Sequence, residues 1–310
     1  MKLLIAIVLG LGLAAAPMAP AGMAEAKAPA GLPAPTKFTV SSDGHPMRVW
    51  ARMAAKPRGS VLFVHGRTWS SLPNFDLRTP EGSLSILRAF ADQGFNAYAL
   101  DQRGYGETPR DASGYLTPKR AAADVDAVLD WIARRDGKKP MLVGYSRGSQ
   151  VAFFTAQTYP QAMSLLVLYG GPGDPSRYAS VPAPQVRKTP TTHADAISDF
   201  ITPGAASSAV IEAYASAALK SDPVKMDWGE ENQFIPADPA QIKVPTLFLH
   251  GVGDPNANPA FIGKLFTGLG NPSRQWVVLP DADHAAHVEK GHARWVAAIV
   301  SFWTENQPIR

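Results

Sequence analysis

The chain contains no cysteine. That absence excludes thiol proteases, thioredoxin-like redox centres, Fe–S clusters, cysteine-ligated zinc and any disulfide framework. A lipoprotein anchor is excluded as well, because it needs a cysteine to acylate. Charged residues make up only 18% of the chain and form no Lys/Arg block. The net charge of +4 therefore speaks for solubility and weak anion attraction, not for nucleic-acid binding. There is no G-x-x-x-x-G-K-[ST], and no G-x-G-x-x-G follows a strand, so no nucleotide cofactor is expected.

Apolar residues are not scarce. At 45% of 310 positions they are too many for a disordered chain and enough to bury a sizeable core. Gly 26 and Pro 28 add many turn formers. The uncharged run from Leu3 to Ala16 follows Met1-Lys2 and falls short of the roughly 20 residues of a membrane span. It matches the core of a signal peptide, with Ala24-Glu25-Ala26 as the cleavage site. Residues 1–26 are thus expected to be removed on export to the periplasm or medium, with no stable membrane anchor left behind. An uncleaved anchor is the competing reading. Residues 27–37, rich in Ala and Pro, read as a flexible leader.

Beyond the leader, short apolar runs alternate with helical patterns. Residues 38–40 and 47–53 read as an antiparallel hairpin around a Ser41–Gly44 turn. Continuous apolar runs at 61–64, 97–100, 141–143, 165–169, 246–249 and 276–279 suit strands covered on both faces. Helical spacing is clear from Pro118 through Ile132 and again from Val288 through Trp303. This alternation predicts a doubly wound, mostly parallel sheet. Residues 172–243 break the rhythm, with Pro-rich turns, two possible helices (194–201 and 206–219) and no convincing strand. They read as an inserted helical cap on a core of 38–171 and 244–310.

The strongest local signal is Gly144-Tyr145-Ser146-Arg147-Gly148, set between a strand pattern and a helix pattern. In that context G-x-S-x-G is a nucleophile elbow, with Ser146 exposed at a helix N-terminus. From about residue 38 to 304 the chain resembles the α/β-hydrolase superfamily, serine esterases and lipases with a helical cap. The resemblance rests on this elbow and on four further motifs in order. They are residues 61–66 with the His65-Gly66 turn, Asp101-Gln102-Arg103-Gly104-Tyr105-Gly106, Leu249 to Asp254, and Leu279 to Glu289. Arg147 and Asp283 depart from the pattern, which more often has a neutral residue and a glycine there.

The resemblance implies an eight-stranded sheet and a triad in which Ser146 is nucleophile, Asp254 orients and His284 is the base. His287 is a competing base, and Asp174 an alternative acid. A metal site from His284, His287, His292 and Asp281 lacks a helix to place the ligands on one face, and no metal is expected. The oxyanion hole is expected from the backbone N–H groups of Arg67 and Arg147. Their side chains either pair with carboxylates or meet an anionic substrate group. Trp69 and Tyr145, with Trp228 and Phe234, are candidates for an apolar acyl pocket. His65, His250 and Arg103 read as structural, His45 and His193 as surface or cap residues. The expected partner is a small-molecule ester, and the sequence leaves the oligomeric state open. Amidase, lactonase, C–C hydrolase, perhydrolase and acyltransferase chemistry use the same triad, and a binding module of this fold is the non-enzymatic alternative.

Overall fold

The structure is a computed structural model that describes residues 32–179, 184–235 and 237–307. The expected signal peptide and its cleavage site lie outside the described residues. The chain divides into Met1–Pro33 and a compact unit, Ala34–Arg310, and the elements of the described residues fall in the second.

The first half of that unit runs β1 (Thr36–Ser42), β2 (His45–Arg52), β3 (Gly59–Val64), α1 (Ser71–Phe75), β4 (Leu77–Thr79), β5 (Gly82–Leu84), α2 (Ile86–Asp92), β6 (Phe95–Asp101), β7 (Tyr115–Leu116) and α3 (Pro118–Asp136). It continues with β8 (Met141–Tyr145), α4 (Arg147–Thr158), β9 (Leu165–Tyr169), α5 (His193–Ile197), α6 (Ser208–Ser221), β10 (Asp227–Trp228), β11 (Thr246–Gly251), α7 (Pro259–Gly268), β12 (Arg274–Leu279) and α8 (His292–Glu305).

Eight strands form one sheet in the order β1-β2-β6-β3-β8-β9-β11-β12. β2 pairs antiparallel with both β1 and β6, and every other pair is parallel. The period-two geometry of a strand divides each apolar run between two cores. Along β3, Leu62 and Val64 enter one core while Val61 and Phe63 enter the other. Along β9, Leu166 and Leu168 go one way and Leu165, Val167 and Tyr169 the other. This is why the runs are continuous and not alternating. Helix α3 shows the expected end chemistry: Thr117 accepts from Arg120 N–H, Pro118 opens the helix, and Gly137 closes it at φ 75°.

The order reverses at β3, which has β6 on one side and β8 on the other. Ligand crevices in such sheets open at the carboxyl ends of the strands at this reversal. Gly66 and Ser146 lie just beyond those two ends.

Between β9 and β11 the chain leaves the sheet. The two helices of this segment begin and end within a few residues of their expected bounds, at α5 and α6. The sequence pattern did not reveal β10, which pairs parallel with β7 through Asp227↔Tyr115 and Trp228↔Leu116. Two residues are too few to carry a period. Their pairing nevertheless docks the inserted segment on the core beside the crevice. On its other flank, Val210, Tyr214 and Ala218 of α6 pack with Trp69, Leu77 and Val288.

Candidate active site

Ser146 occupies a backbone conformation that side chains avoid, φ 53° and ψ −119°. Such strain persists only where surrounding contacts impose it. Here they are plain: Ser146 N–H donates to Tyr169 O at 2.8 Å, and Ser146 O accepts from Ser149 N and Oγ at 2.9 and 2.6 Å. The flanking glycines permit the turn. A Cβ on Gly144 would overlap Gly148 O, and one on Gly148 would overlap Val64 O and His65 O. The hydroxyl is left partly exposed at the N-terminus of α4, where unpaired N–H groups and the helix dipole favour negative charge.

Beside the elbow lie a histidine and an acid drawn from loops after β12 and β11. His284 Nδ1 stands 3.0 Å from both carboxylate oxygens of Asp254, and both side chains are buried. Gly170 packs against this pair: a Cβ there would lie 3.0 Å from His284 Cε1 and 3.3 Å from Asp254 Oδ2. Gly170 also lines, with Ser146, a cavity of about 290 Å³. The histidine is fixed further by Tyr169, whose hydroxyl donates to His284 O at 2.7 Å, and by the Tyr145 ring at 5.1 Å. Burial by itself would lower the pKa of His284. The Asp254 hydrogen bond and the charges of Asp254, Asp199 and Asp283 outweigh it and hold the imidazole above the ordinary histidine value.

A second set of contacts orients the loop after β3. His65 is fully buried, and burial depresses it to about 4 against a smaller opposing effect of its bond to Gly66, so the ring is neutral. Its Nε2 accepts Gln102 N–H at 3.1 Å, which leaves the proton on Nδ1 to donate to Gly66 O at 2.9 Å. In a trans peptide the C=O and N–H point opposite ways, so the Arg67 N–H is turned away from His65. The next carbonyl, Arg67 O, accepts from the Tyr105 hydroxyl, which itself accepts from Trp228 Nε1 at 2.8 Å.

The arginine side chains behave as charge-paired groups. Glu231 receives Arg67 Nη2 at 2.8 Å on one oxygen and Arg147 Nη2 at 3.2 Å on the other. The Arg147 guanidinium also sits against the rings of Tyr178, Trp228 and Phe234 at 4.9, 5.3 and 5.5 Å.

Other expected site residues lie elsewhere. Asp174 is exposed and accepts Ser176 N–H at 2.9 Å, capping a short helical turn. His287 is buried with Nδ1 3.3 Å from the Tyr169 hydroxyl, and burial pushes its pKa well down. Trp69 and Tyr145 do not line the cavity at Ser146: Trp69 packs under α6, and Tyr145 stacks on Tyr169 behind His284. Trp228 and Phe234 flank the Arg147 guanidinium and are not among the residues lining the cavity at Ser146. Arg103 is held in its loop by Asp124, at 2.7 and 2.8 Å. His250 donates to its neighbour's carbonyl and accepts from Trp276, and His45 and His193 lie in exposed contacts. Among the described residues no cluster of three or more His, Asp or Glu side chains is arranged to hold a metal.

The sequence reading missed Gln150, Gly170, Tyr178 and Asn256, which line the cavity, and Glu231. Gln150 was findable, because it stands one helical turn after Ser146 and so shares its face of α4.

The residue before His284 has its own task. Asp283 accepts from the N–H groups of Ile201, Thr202 and Ala285 at 3.2, 2.5 and 3.1 Å, tying the inserted segment to the histidine loop. Glu289 is buried beside it, and burial with the neighbouring Asp283 raises Glu289 to about 8. Because this folded value exceeds the ordinary one, the stability that Glu289 contributes is whole below about pH 4.5. It drains away as pH climbs to about 8. Glu289→Gln is therefore expected to flatten the decline of stability between pH 5 and 8. Against wild type the difference should be roughly 2 kcal/mol in urea unfolding, allowing for solvent screening at the core's edge. Identical pH profiles would refute it.

Comparison with known proteins adds a family and a fold. A family model described as "Serine aminopeptidase, S33" matches residues 55–291. No curated protein matches in sequence. Among solved structures, a thermophilic esterase from Thermogutta terrifontis (malate bound) is 19% identical over 87% of this chain and 98% of its own, with a TM-score of 0.60. A hydrolase from Pseudomonas aeruginosa PA01 is 21% identical over 86% and 98%, with a TM-score of 0.63. A meta-cleavage product hydrolase (CumD) is 17% identical over 88% and 98%, with a TM-score of 0.64. At these identities the likeness speaks for the fold.

Proposed function

We propose, from the premise that the chain belongs to the serine aminopeptidase (S33) family of α/β hydrolases, that this hydrolase cleaves carboxylic esters through Ser146, His284 and Asp254. The observation that carries the reading is the strained Ser146 elbow beside a buried Asp254–His284 pair, in which Nδ1 faces both carboxylate oxygens, with Gly170 packed against the pair and lining the cavity at Ser146. Serine needs a base to become a nucleophile, and the base needs a fixed tautomer. Asp254 accepts from Nδ1–H, so Nε2 keeps the lone pair that takes the Ser146 proton. The hydroxyl oxygen attacks the ester carbonyl. The developing oxyanion is held by the Arg67 and Arg147 N–H groups, the second of them opening α4. His284 then gives its proton to the leaving alcohol, and the acyl-enzyme is released by water activated the same way.

Since Glu231 already engages both guanidinium groups, neutral acyl groups are favoured over carboxylated ones. A chain-length series of aryl esters with neutral and acidic acyl groups tests this; a salt-sensitive preference for the acidic ones would reverse it. Aminoacyl arylamides in the same assay test the amide reading suggested by the family's description. Labelling by a fluorophosphonate, abolished in Ser146→Ala, separates an enzyme from a binding module.

The pH profile follows from His284. Only the neutral imidazole accepts a proton, and its pKa is held above the usual 6.5. The acid limb of kcat/KM is therefore expected to have its midpoint above pH 6.5 and to fall about tenfold per unit below it. A profile flat from pH 5 to 8 would exclude His284 as base.

We also propose export. The support is the Met1-Lys2 start and the apolar run to Ala16, followed by small-x-small sites. No helix among the described residues is long and apolar enough to cross a membrane. A mature protein beginning at Lys27, found by N-terminal sequencing of the exported fraction, is the expected result.

A further inference from the structure

We propose that Glu231 is a positioning residue that holds the two oxyanion-donating peptides in register with Ser146, so that the inserted segment completes the oxyanion hole. The proposal rests on the hydrolase reading above and adds a part to it.

Arg67 lies on the loop after β3 and Arg147 opens α4 after β8, and their N–H groups must converge on one oxygen. Each is anchored locally, Arg67 through the His65–Gly66 bond and Arg147 through the first turn of α4. Glu231 adds a direct bridge between them, one carboxylate oxygen to each guanidinium. The carboxylate is 5% exposed, and Arg147 is equally buried. A buried carboxylate with two charged donors is costly to disturb, because losing one leaves charge uncompensated.

The same stretch of the inserted segment makes a second link. Trp228 donates to the Tyr105 hydroxyl, which donates to Arg67 O, while Trp228 and Phe234 flank the Arg147 guanidinium. Residues 228–234 thus grip the Arg67 main chain, the Arg67 side chain and the Arg147 side chain together. Catalytic donors need placement to about 0.5 Å, and a 1 Å error can cost about 10²-fold.

A rival account uses the same residues with the opposite sign. If the guanidinium charges themselves stabilised the oxyanion, Glu231 would blunt them, and removing its charge would accelerate the reaction. Held among three rings and a carboxylate, Arg147 is placed to orient its own peptide.

The test compares Glu231→Gln with wild type on a p-nitrophenyl ester, with Tm, kcat, KM and the Ki of a boronic acid that mimics the tetrahedral intermediate. Glu231→Gln is expected to lower kcat about 30-fold, less than the roughly 10²–10³-fold lost when an oxyanion donor is removed outright, because both N–H groups remain but out of register. KM should stay within about threefold, and boronate affinity should fall in parallel with kcat, because the loss is confined to the transition state. An unchanged or raised kcat overturns the proposal. Should Glu231→Gln not fold, Arg67→Met reads the same contact, since it keeps the backbone N–H and alters a half-exposed side chain. Its kcat is expected to fall likewise, and an unchanged kcat again overturns the proposal. Where both variants fold, the double mutant should be no worse than Glu231→Gln alone. A wild-type protein that neither hydrolyses esters nor takes the fluorophosphonate label would instead refute the underlying hydrolase reading.

Discussion

Ser146→Ala is expected to abolish ester hydrolysis while leaving the fold intact, with kcat lowered about 10⁶-fold as when the nucleophile of a triad is removed. The elbow is held through the Ser146 main chain, whose N–H donates to Tyr169 O and whose C=O accepts from Ser149 N–H and Oγ, and alanine retains both groups. Alanine is also no worse than serine at φ 53°, so urea unfolding should change by less than about 0.5 kcal/mol. Glycine is different. Ser146→Gly should be equally inactive yet more stable, by about 1 kcal/mol, because it relieves the conformation that the side chain endures. Rising stability with vanishing activity would mark strain that the fold carries for the sake of the hydroxyl. Activity above about 1% in either variant would remove Ser146 from the nucleophile's place.

The difference in legibility between the sheet and the segment joining β9 to β11 has a physical origin. A parallel strand buried on both faces must be apolar throughout, so β3, β8, β9 and β11 announce themselves as runs. The elbow is equally plain, because clashes with Gly148 O, Val64 O and His65 O leave no choice but glycine at 144 and 148. The inserted segment carries less of this. Its helices are amphipathic enough to be found, but β10 has no period, and its contacts join residues far apart in sequence. Glu231 looks like any surface acid until the fold sets it between Arg67 and Arg147, 84 residues away in the latter case. Trp69 and Tyr145 mislead for the converse reason. An aromatic near a motif is as apt to be packed behind the site as to line it, and burial by α6 or Tyr169 is decided by tertiary contacts.

Asp254→Asn should come next in severity, lowering kcat about 10⁴-fold, as when an asparagine imposes the wrong histidine tautomer. The geometry dictates which way the new amide points. Asp254 Oδ1 accepts Asn256 N–H at 2.9 Å, so an asparagine keeps its oxygen there to avoid setting two donors face to face. Its NH₂ then takes the place of Oδ2, 3.0 Å from His284 Nδ1. While Oδ1, also 3.0 Å from Nδ1, is shared with Asn256 N–H, the NH₂ donates to Nδ1 and favours the tautomer with its proton on Nε2. That nitrogen now presents a hydrogen to Ser146 where a lone pair is required. The same change removes the bond and charge that raise His284, so any residual activity should show its acid limb shifted to lower pH. Asp174→Asn supplies the control. Its carboxylate caps an exposed turn at Ser176, and kcat should stay within about twofold of wild type. If Asp174→Asn proved the crippling change and Asp254→Asn the mild one, the acid of the triad would be Asp174. The buried contact at His284 would then be structural.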